Sequence, residues 1–102
     1  MPVDITAGDG QGGQHQRLVV DSRGNATAIW EGYDPSHGTT FAIQAAERPP
    51  GGAWSRPTDI SRRTKGLGGP QIAVDPQGRA TAIWGIGVKG GAVIQSATSL
   101  SR

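Results

Sequence analysis

The 102-residue sequence contains no cysteine, and it has only one phenylalanine and one tyrosine. Without cysteine, the chain cannot form a disulfide bond or a thiolate metal site. It also lacks any apolar run long enough to span a membrane, and its opening MPVDITAGDG has neither the basic nor the apolar region of a signal peptide. We therefore expect a soluble chain without a membrane partner, and its compartment stays open.

Segments with helical periodicity between capping residues are also missing from the sequence. Instead there are 17 glycines and 7 prolines, and the apolar residues are mostly isoleucine, valine, alanine and 3 tryptophans. This composition is typical of a β-rich chain with many turns. The net charge is only +2, and the basic residues are scattered except around residues 62–65. We expect no nucleic-acid partner.

One short phrase occurs twice in the chain. Residues 20–30 read VDSRGNATAIW, and residues 74–84 read VDPQGRATAIW. With an offset of 54, residues 17–30 match residues 71–84 at eight of fourteen positions, where chance gives about one. The sequence IQ at residues 43–44 also recurs at residues 94–95, offset by 51. These matches indicate two structural repeats, which together make up the whole chain.

Each repeat has the pattern of short antiparallel strands. QRLVVD and PQIAVD are rich in β-branched residues, and the turns DSRGN and DPQGR after them favour hairpins, because aspartate bonds back to the chain and glycine supplies positive φ. ATAIW forms the second strand, FAIQAAE or AVIQSAT the third, and AWSRPTDIS the fourth. Stacked four-stranded sheets of about 40 to 50 residues are β-propeller blades. The predicted fold is all-β, with two antiparallel blades per chain.

The order of the motifs predicts a strand exchange between the two ends of the chain. Residues 2–6 resemble the fourth-strand residues 57–61. We therefore divide the single unit 1–102 into a displaced strand (1–6), a first repeat (7–61) and a second repeat without its own fourth strand (62–102). Two blades cannot close a ring, and their outer faces and the free edge of AVIQSATS would be exposed. Cyclic self-association resolves both problems. We expect a homotrimer with six blades, and a homotetramer with eight is the alternative.

The repeat resembles those of bacterial multi-blade propellers of the sialidase-like group. The resemblance depends on two patterns in their joint order, V-D-x-x-G-x-A-T-A-I-W followed by I-Q-A-A-x-R-P-x-G-G-x-W-S. In plan, though not in sequence, the chain is similar to two-repeat bacterial lectins that assemble into rings. It departs from the sialidase Asp-box, because the spacing from aspartate to glycine is longer. The arginine triad and nucleophile pair of sialidases have no counterparts here. The resemblance implies the fold and not that activity.

The connections that differ between the repeats contain the candidate ligand-binding residues. The second-to-third connection and the connection into each first strand diverge, and loops without a scaffold role are where binding residues can lie. The candidates are Glu31, Tyr33, Asp34, His37, His15, Arg62 and Lys89. Polar groups beside a tyrosine suit a glycan or a polar peptide. We therefore expect a multivalent, lectin-like binding module.

No group of residues predicts catalysis, a metal or a cofactor. Asp34, Ser36 and His37 are close in sequence, but a catalytic triad converges from separate elements. His15 and His37 lack the spacing of a zinc site. The chain is therefore expected not to be an enzyme. Two alternatives remain open: a designed or truncated propeller scaffold whose only property is assembly, and part of a sialidase-like glycoside hydrolase.

Overall fold

The computed structural model describes residues 2–6, 12–33 and 40–99, in which strands are joined by turns. The strands are β1 (Gly12–Val20), β2 (Ala26–Tyr33), β3 (Phe41–Arg48), β4 (Thr58–Asp59), β5 (Leu67–Val74), β6 (Ala80–Val88) and β7 (Gly91–Thr98). One antiparallel sheet has the order β1-β2-β3-β4 and the other β5-β6-β7. The all-β prediction is confirmed. No helix within these ranges is long and apolar enough for a membrane span.

In both repeats, an aspartate closes the turn between the first two strands. One carboxylate oxygen of Asp21, and likewise of Asp75, accepts hydrogen bonds from the backbone N–H groups two and four residues later, at 2.9 to 3.0 Å. Gly24 and Gly78 follow with φ of 89° and 85°, as the sequence predicted. A Cβ on Gly78 would lie 3.0 Å from Oδ2 of Asp21, so the two turns are neighbours at one end of the molecule.

The two sheets pack face to face over an apolar cluster. Side chains alternate between the faces of a strand, and Ile29 and Ile43 project from the first sheet with at most 1% exposure. They meet Ala82, Trp84 and Ile86 of the second sheet in one buried cluster. The backbones of the two sheets come closest at β5, which lies against β1 and β2. Because the cluster joins the repeats, it holds both sheets in one unit.

The opposite face of the first sheet has an apolar cluster of its own. Ala28, Trp30 and Ala46 form a second buried cluster there, against which Ile5 and Trp54 pack. As a result, β2 is buried on both faces, which agrees with the absence of charge alternation in ATAIW. The first residues of the chain therefore lie across the outer face of the first sheet.

A chain of hydrogen bonds crosses three strands beside Trp30. Its indole Nε1 donates to Oε1 of Gln44 at 3.0 Å, and Nε2 of Gln44 donates to Oδ1 of Asp59 at 2.9 Å. Gln44 folds over Gly32, and a Cβ at that glycine would overlap the side-chain amide. The missing side chain of Gly32 is thus what lets the amide reach the indole.

The second repeat lacks this arrangement. Ile86 occupies the place of Gly32 in the repeat and is 1% exposed, so it fills the space into which the amide folds in the first repeat. The corresponding glutamine, Gln95, is exposed. The indole Nε1 of Trp84 is consequently buried without a hydrogen-bond partner in the described part of the chain.

The strands differ in length from their sequence predictions: β4 is shorter and the other strands are longer. β1 begins at Gly12 instead of Gln16, and a register shift lies within the added segment. The predicted strand AWSRPTDIS is reduced to Thr58–Asp59. Pro57 has no N–H to donate, but the backbone N–H of Ile60 still donates to the carbonyl of Ile43 at 2.7 Å. The chain beyond β4 therefore stays hydrogen-bonded to β3 without forming a regular strand.

Candidate functional site

A glutamate is buried near one end of the first sheet. Glu31 is 3% exposed and lies on β2 two residues after Ile29, so it shares the face that packs toward the second sheet. Its ladder partners are Gln14 on β1 and Ile43 on β3. A carboxylate removed from water needs hydrogen-bond donors. Its neighbours on β1 supply them.

Gln14 and His15 hold the two oxygens of Glu31, and we call these three residues the polar trio. Nε2 of Gln14 donates to Oε1 at 3.1 Å, and Nδ1 of His15 lies 2.8 Å from Oε2. Because an ionised carboxylate only accepts hydrogen bonds, we assign the donor role to Nδ1. The histidine side chain is 64% exposed, whereas that of the glutamate is 4% exposed. The pair therefore links a buried carboxylate to an imidazole at the surface.

The backbone of His15 is in the left-handed region. Its φ is 56°, the one positive value at a non-glycine residue in the ranges described. The residue lies where the register between β1 and β2 shifts, between Gln14 and Arg17. A side chain in this conformation costs roughly 1–2 kcal/mol. Retained backbone strain of this kind is concentrated at functional sites.

The second repeat builds the same irregularity with glycine. The counterparts of the polar trio, 54 residues later, are Gly68, Gly69 and Gly85. The register between β5 and β6 shifts at the equivalent place, and Gly69 has a φ of 65°. The architecture therefore does not require the trio. Among the residues described, these three polar side chains, which the fold can replace by glycine, are the best candidates for a binding role.

An aromatic pair lies at the end of β2 and β3. Tyr33 is two residues beyond Glu31 and therefore on the same face of β2. Its ring lies 5.5 Å from that of its ladder partner Phe41, at an interplanar angle of 47°. The other two candidates of this loop, Asp34 and His37, lie outside the described residues. The trio is thus followed along the strands by a half-buried aromatic surface.

The remaining two candidates lie elsewhere. Arg62 borders a cavity of about 550 Å³ together with Trp84 and Gln95. Lys89 is exposed in the turn between β6 and β7. Within the described ranges, the hydrogen bonds and ion pairs connect neither residue to the polar trio. The structure therefore brings His15 and Glu31 into contact and places Tyr33 on the same face of β2 as Glu31, whereas Arg62 and Lys89 lie apart from them.

Gln14 is the member of the trio that the sequence interpretation missed. The signal was present, because Gln14 and His15 stand where the second repeat has two consecutive glycines. Comparing the repeats residue by residue, rather than loop by loop, would have found it. Alignment could not show that both side chains bind the same carboxylate, which depends on the register shift in β1.

The described residues contain no group of three or more His, Cys, Asp or Glu that could hold a metal ion. Asp21 and Asp75 each direct one carboxylate oxygen at the backbone of their own turn. Comparison of the chain with protein-family models, curated proteins and solved structures finds no match.

Proposed function

We propose that this chain is a non-catalytic, self-assembling binding module built from two propeller-type blades, and that it binds a polar ligand, with a glycan as the favoured class. The observation that carries the binding proposal is the polar trio. The first repeat keeps it at the expense of a left-handed backbone at His15, while the second repeat forms the same shift with glycines. Such local strain is explained by a task for the side chain.

The trio suits recognition of hydroxyl groups. Glu31 fixes the orientation of His15 through Nδ1, so that Nε2 of the imidazole is free to form a hydrogen bond with a ligand. The second oxygen of the carboxylate orients the amide of Gln14. Tyr33 and Phe41 supply the apolar surface against which a sugar ring packs. Glu31 is therefore a positioning residue, and His15 and Gln14 are the proposed ligand contacts.

The blade interpretation is supported by the order of the strands. Each sheet is an antiparallel meander, and the sheets pack face to face with the first strand of the second sheet against β1 and β2. Blades arranged about an axis have this relation. With a chain mass of 10.5 kDa, a closed trimer has 3 × 10.5 = 31.5 kDa and a tetramer 4 × 10.5 = 42 kDa. Light scattering separates these two assemblies.

Binding is tested on a glycan array followed by titration of the best ligand. The informative variant is Gln14→Gly with His15→Gly, because it installs the residues of the second repeat. Glu31→Gln is a second variant that keeps the size of the side chain. We expect both to weaken binding roughly tenfold to a hundredfold, because the double variant removes both proposed ligand contacts and Glu31→Gln no longer orients them in the same way. Arg56→Ala, in the connection between β3 and β4, is the control and should bind like the parent.

Three results would change the proposal. If the parent chain binds no glycan or polar peptide while it still assembles, a scaffold with assembly as its only property is favoured. Equal binding by the parent and the double glycine variant would remove the trio from the site. Hydrolysis of a fluorogenic sialoside by the parent would favour the glycoside hydrolase.

A further inference from the structure

The two sheets present the same residues to very different surroundings. Ile29 and Ile43 of the first sheet are 1% and 0% exposed, whereas their counterparts Ile83 and Ile94 in the second sheet are 42% and 69% exposed. The strand pairing confirms that Ile94 is equivalent to Ile43. Ile43 pairs with Glu31, and Ile94 pairs with Gly85, which is the counterpart of Glu31. The second sheet therefore presents to solvent the face that the first sheet buries.

The opposite end of the chain has the complementary surface. The buried cluster places Ile29 and Ile43 against Ala82 and Trp84, with Ile60 and Ile72 at its sides. The residues equivalent to Ala82, Trp84, Ile60 and Ile72 one repeat earlier in the chain are, in that order, Ala28, Trp30, Ile5 and Leu18. All four line one groove of about 550 Å³ on the outer face of the first sheet. Leu18, on one wall of the groove, is 59% exposed.

Residues 2–6 already lie where a fourth strand of a preceding sheet would be. Ile60, which directly follows β4 of the first sheet, packs against the cluster that contains Trp84. Ile5, its counterpart, packs in the same way against the cluster that contains Trp30. Residues 2–6 therefore form one wall of the groove already in the single chain. At the other end of the repeat pair, the outer edge of β7 has no strand beside it in the part of the chain described.

We infer that the groove on the Trp30 face receives the exposed face of the second sheet of another copy of this chain, with Ile83 and Ile94 of that copy entering it. This inference rests on the proposed self-assembling unit and identifies the surfaces that meet. β7 of the incoming copy then lies beside residues 2–6. By analogy with the bond from the N–H of Ile60 to the carbonyl of Ile43, the N–H of Ile5 donates to the carbonyl of Ile94 in the incoming copy.

The contact is heterologous, because two different surfaces of the chain meet. It leaves one free groove and one free isoleucine face at the ends of any open assembly, and only ring closure covers both. A two-fold dimer through the isoleucine faces would instead leave both grooves empty. This difference makes the inference testable separately from self-association itself.

The first experiment is sedimentation velocity on charge variants. Ile83→Glu should weaken association roughly a hundredfold or more, because docking would bury an unpaired carboxylate. Val88→Glu is the matched control, since Val88 lies on the same strand and is 41% exposed but lies outside the proposed contact. Both substitutions are at exposed positions, so both variants should fold. Equal association of the two variants would contradict the inference.

The second experiment uses the absence of cysteine from the chain. Ile29 and Ile72 line one cavity between the sheets, so Ile83 of one copy should lie near Leu18 of another. A short thiol cross-linker should join Leu18→Cys and Ile83→Cys chains when they are mixed, and neither variant with itself. Cross-linking of Ile83→Cys alone would overturn the inference while leaving self-association intact. A parent chain that stays at 10.5 kDa would overturn the docking and the assembly, and the glycan titration on the same sample would still test the binding site.

Discussion

His15 and Gly69 occupy the same place in the two repeats and share a left-handed backbone, with φ of 56° and 65°. Glycine adopts this conformation at no steric cost, but a residue with a Cβ does not. His15 compensates in part through its contact with Glu31 at 2.8 Å. Backbone strain and side-chain binding therefore oppose each other at one residue, and substitutions can separate them.

The first prediction concerns this position. His15→Ala loses the contact with Glu31 and keeps the strain, whereas His15→Gly loses the contact and relieves the strain. We expect the glycine variant to be more stable than the alanine variant by about 1 kcal/mol. Urea unfolding monitored by tryptophan fluorescence measures the difference. Equal stability of the two variants would mean that the left-handed conformation at residue 15 costs nothing.

The same position explains which part of the site was predictable from the sequence. His15, Glu31 and Tyr33 were identified as candidates because their loops differ between repeats. Their pairing was not, because the sequence interpretation began β1 at Gln16 and so contained no register shift. A single residue in the left-handed region changes the face to which its neighbours project. Such a shift follows from backbone geometry and not from the alternation of apolar residues.

The repeat predicted the strands well for a related reason. Strand order and the aspartate turns depend on short local patterns, which both copies contain. The hydrogen-bond partners of the tryptophans could not be predicted from such local patterns. Trp30 reaches Gln44 only because residue 32 is glycine, and Trp84 lacks that partner because residue 86 is isoleucine. One difference two residues further along the same strand decides whether the indole N–H of an identical tryptophan has a hydrogen-bond partner.

The second prediction compares two glycines with similar backbone angles. Gly78 and Gly90 have φ of 85° and 87°, so alanine at either position should cost about 1 kcal/mol from backbone strain. A Cβ at Gly78 would lie 3.0 Å from Asp21, whereas one at Gly90 has no atom within 4 Å. We therefore expect Gly78→Ala to be the more destabilising, and Gly78→Val to cost a few kcal/mol. Thermal unfolding of the three variants tests the order, and a larger loss at Gly90 would contradict it.

The third prediction concerns acid stability. The backbone N–H of Arg79 is the main cause that holds the pKa of Asp75 below its ordinary value of 3.8, and the Arg79 guanidinium at 2.8 Å adds to it. Because the pKa is lower in the folded state, the carboxylate stabilises the fold above the unfolded pKa, and this contribution is lost as the pH falls through the folded value.

Asp75→Asn removes the charge but keeps an oxygen that accepts the hydrogen bonds of the turn. The melting temperature of the parent should exceed that of the variant at neutral pH, and the gap should narrow as the pH falls below about 4. Melting curves recorded between neutral and strongly acidic pH provide the measurement. A gap that stays constant over this range would show that the charge of Asp75 does not contribute.

The last prediction uses the two equivalent isoleucines at the sheet faces. Ile29 is 1% exposed and lies within the cluster between the sheets, so Ile29→Ala should destabilise the chain by about 2–5 kcal/mol at any concentration. Ile83 is 42% exposed in the single chain, and Ile83→Ala should cost less than about 1 kcal/mol at high dilution.

At concentrations where copies associate, the two substitutions should become more alike. Docking would bury Ile83 as Ile29 is already buried, and binding that favours the folded state raises apparent stability with concentration. The cost of Ile83→Ala should therefore grow between dilute and concentrated samples, while that of Ile29→Ala stays constant. Chemical unfolding at several protein concentrations tests this. If the loss of unfolding free energy caused by Ile83→Ala does not depend on protein concentration, the exposed face of the second sheet remains uncovered in solution. The equivalence of Ile29 and Ile83 would then be a consequence of the sequence repeat alone.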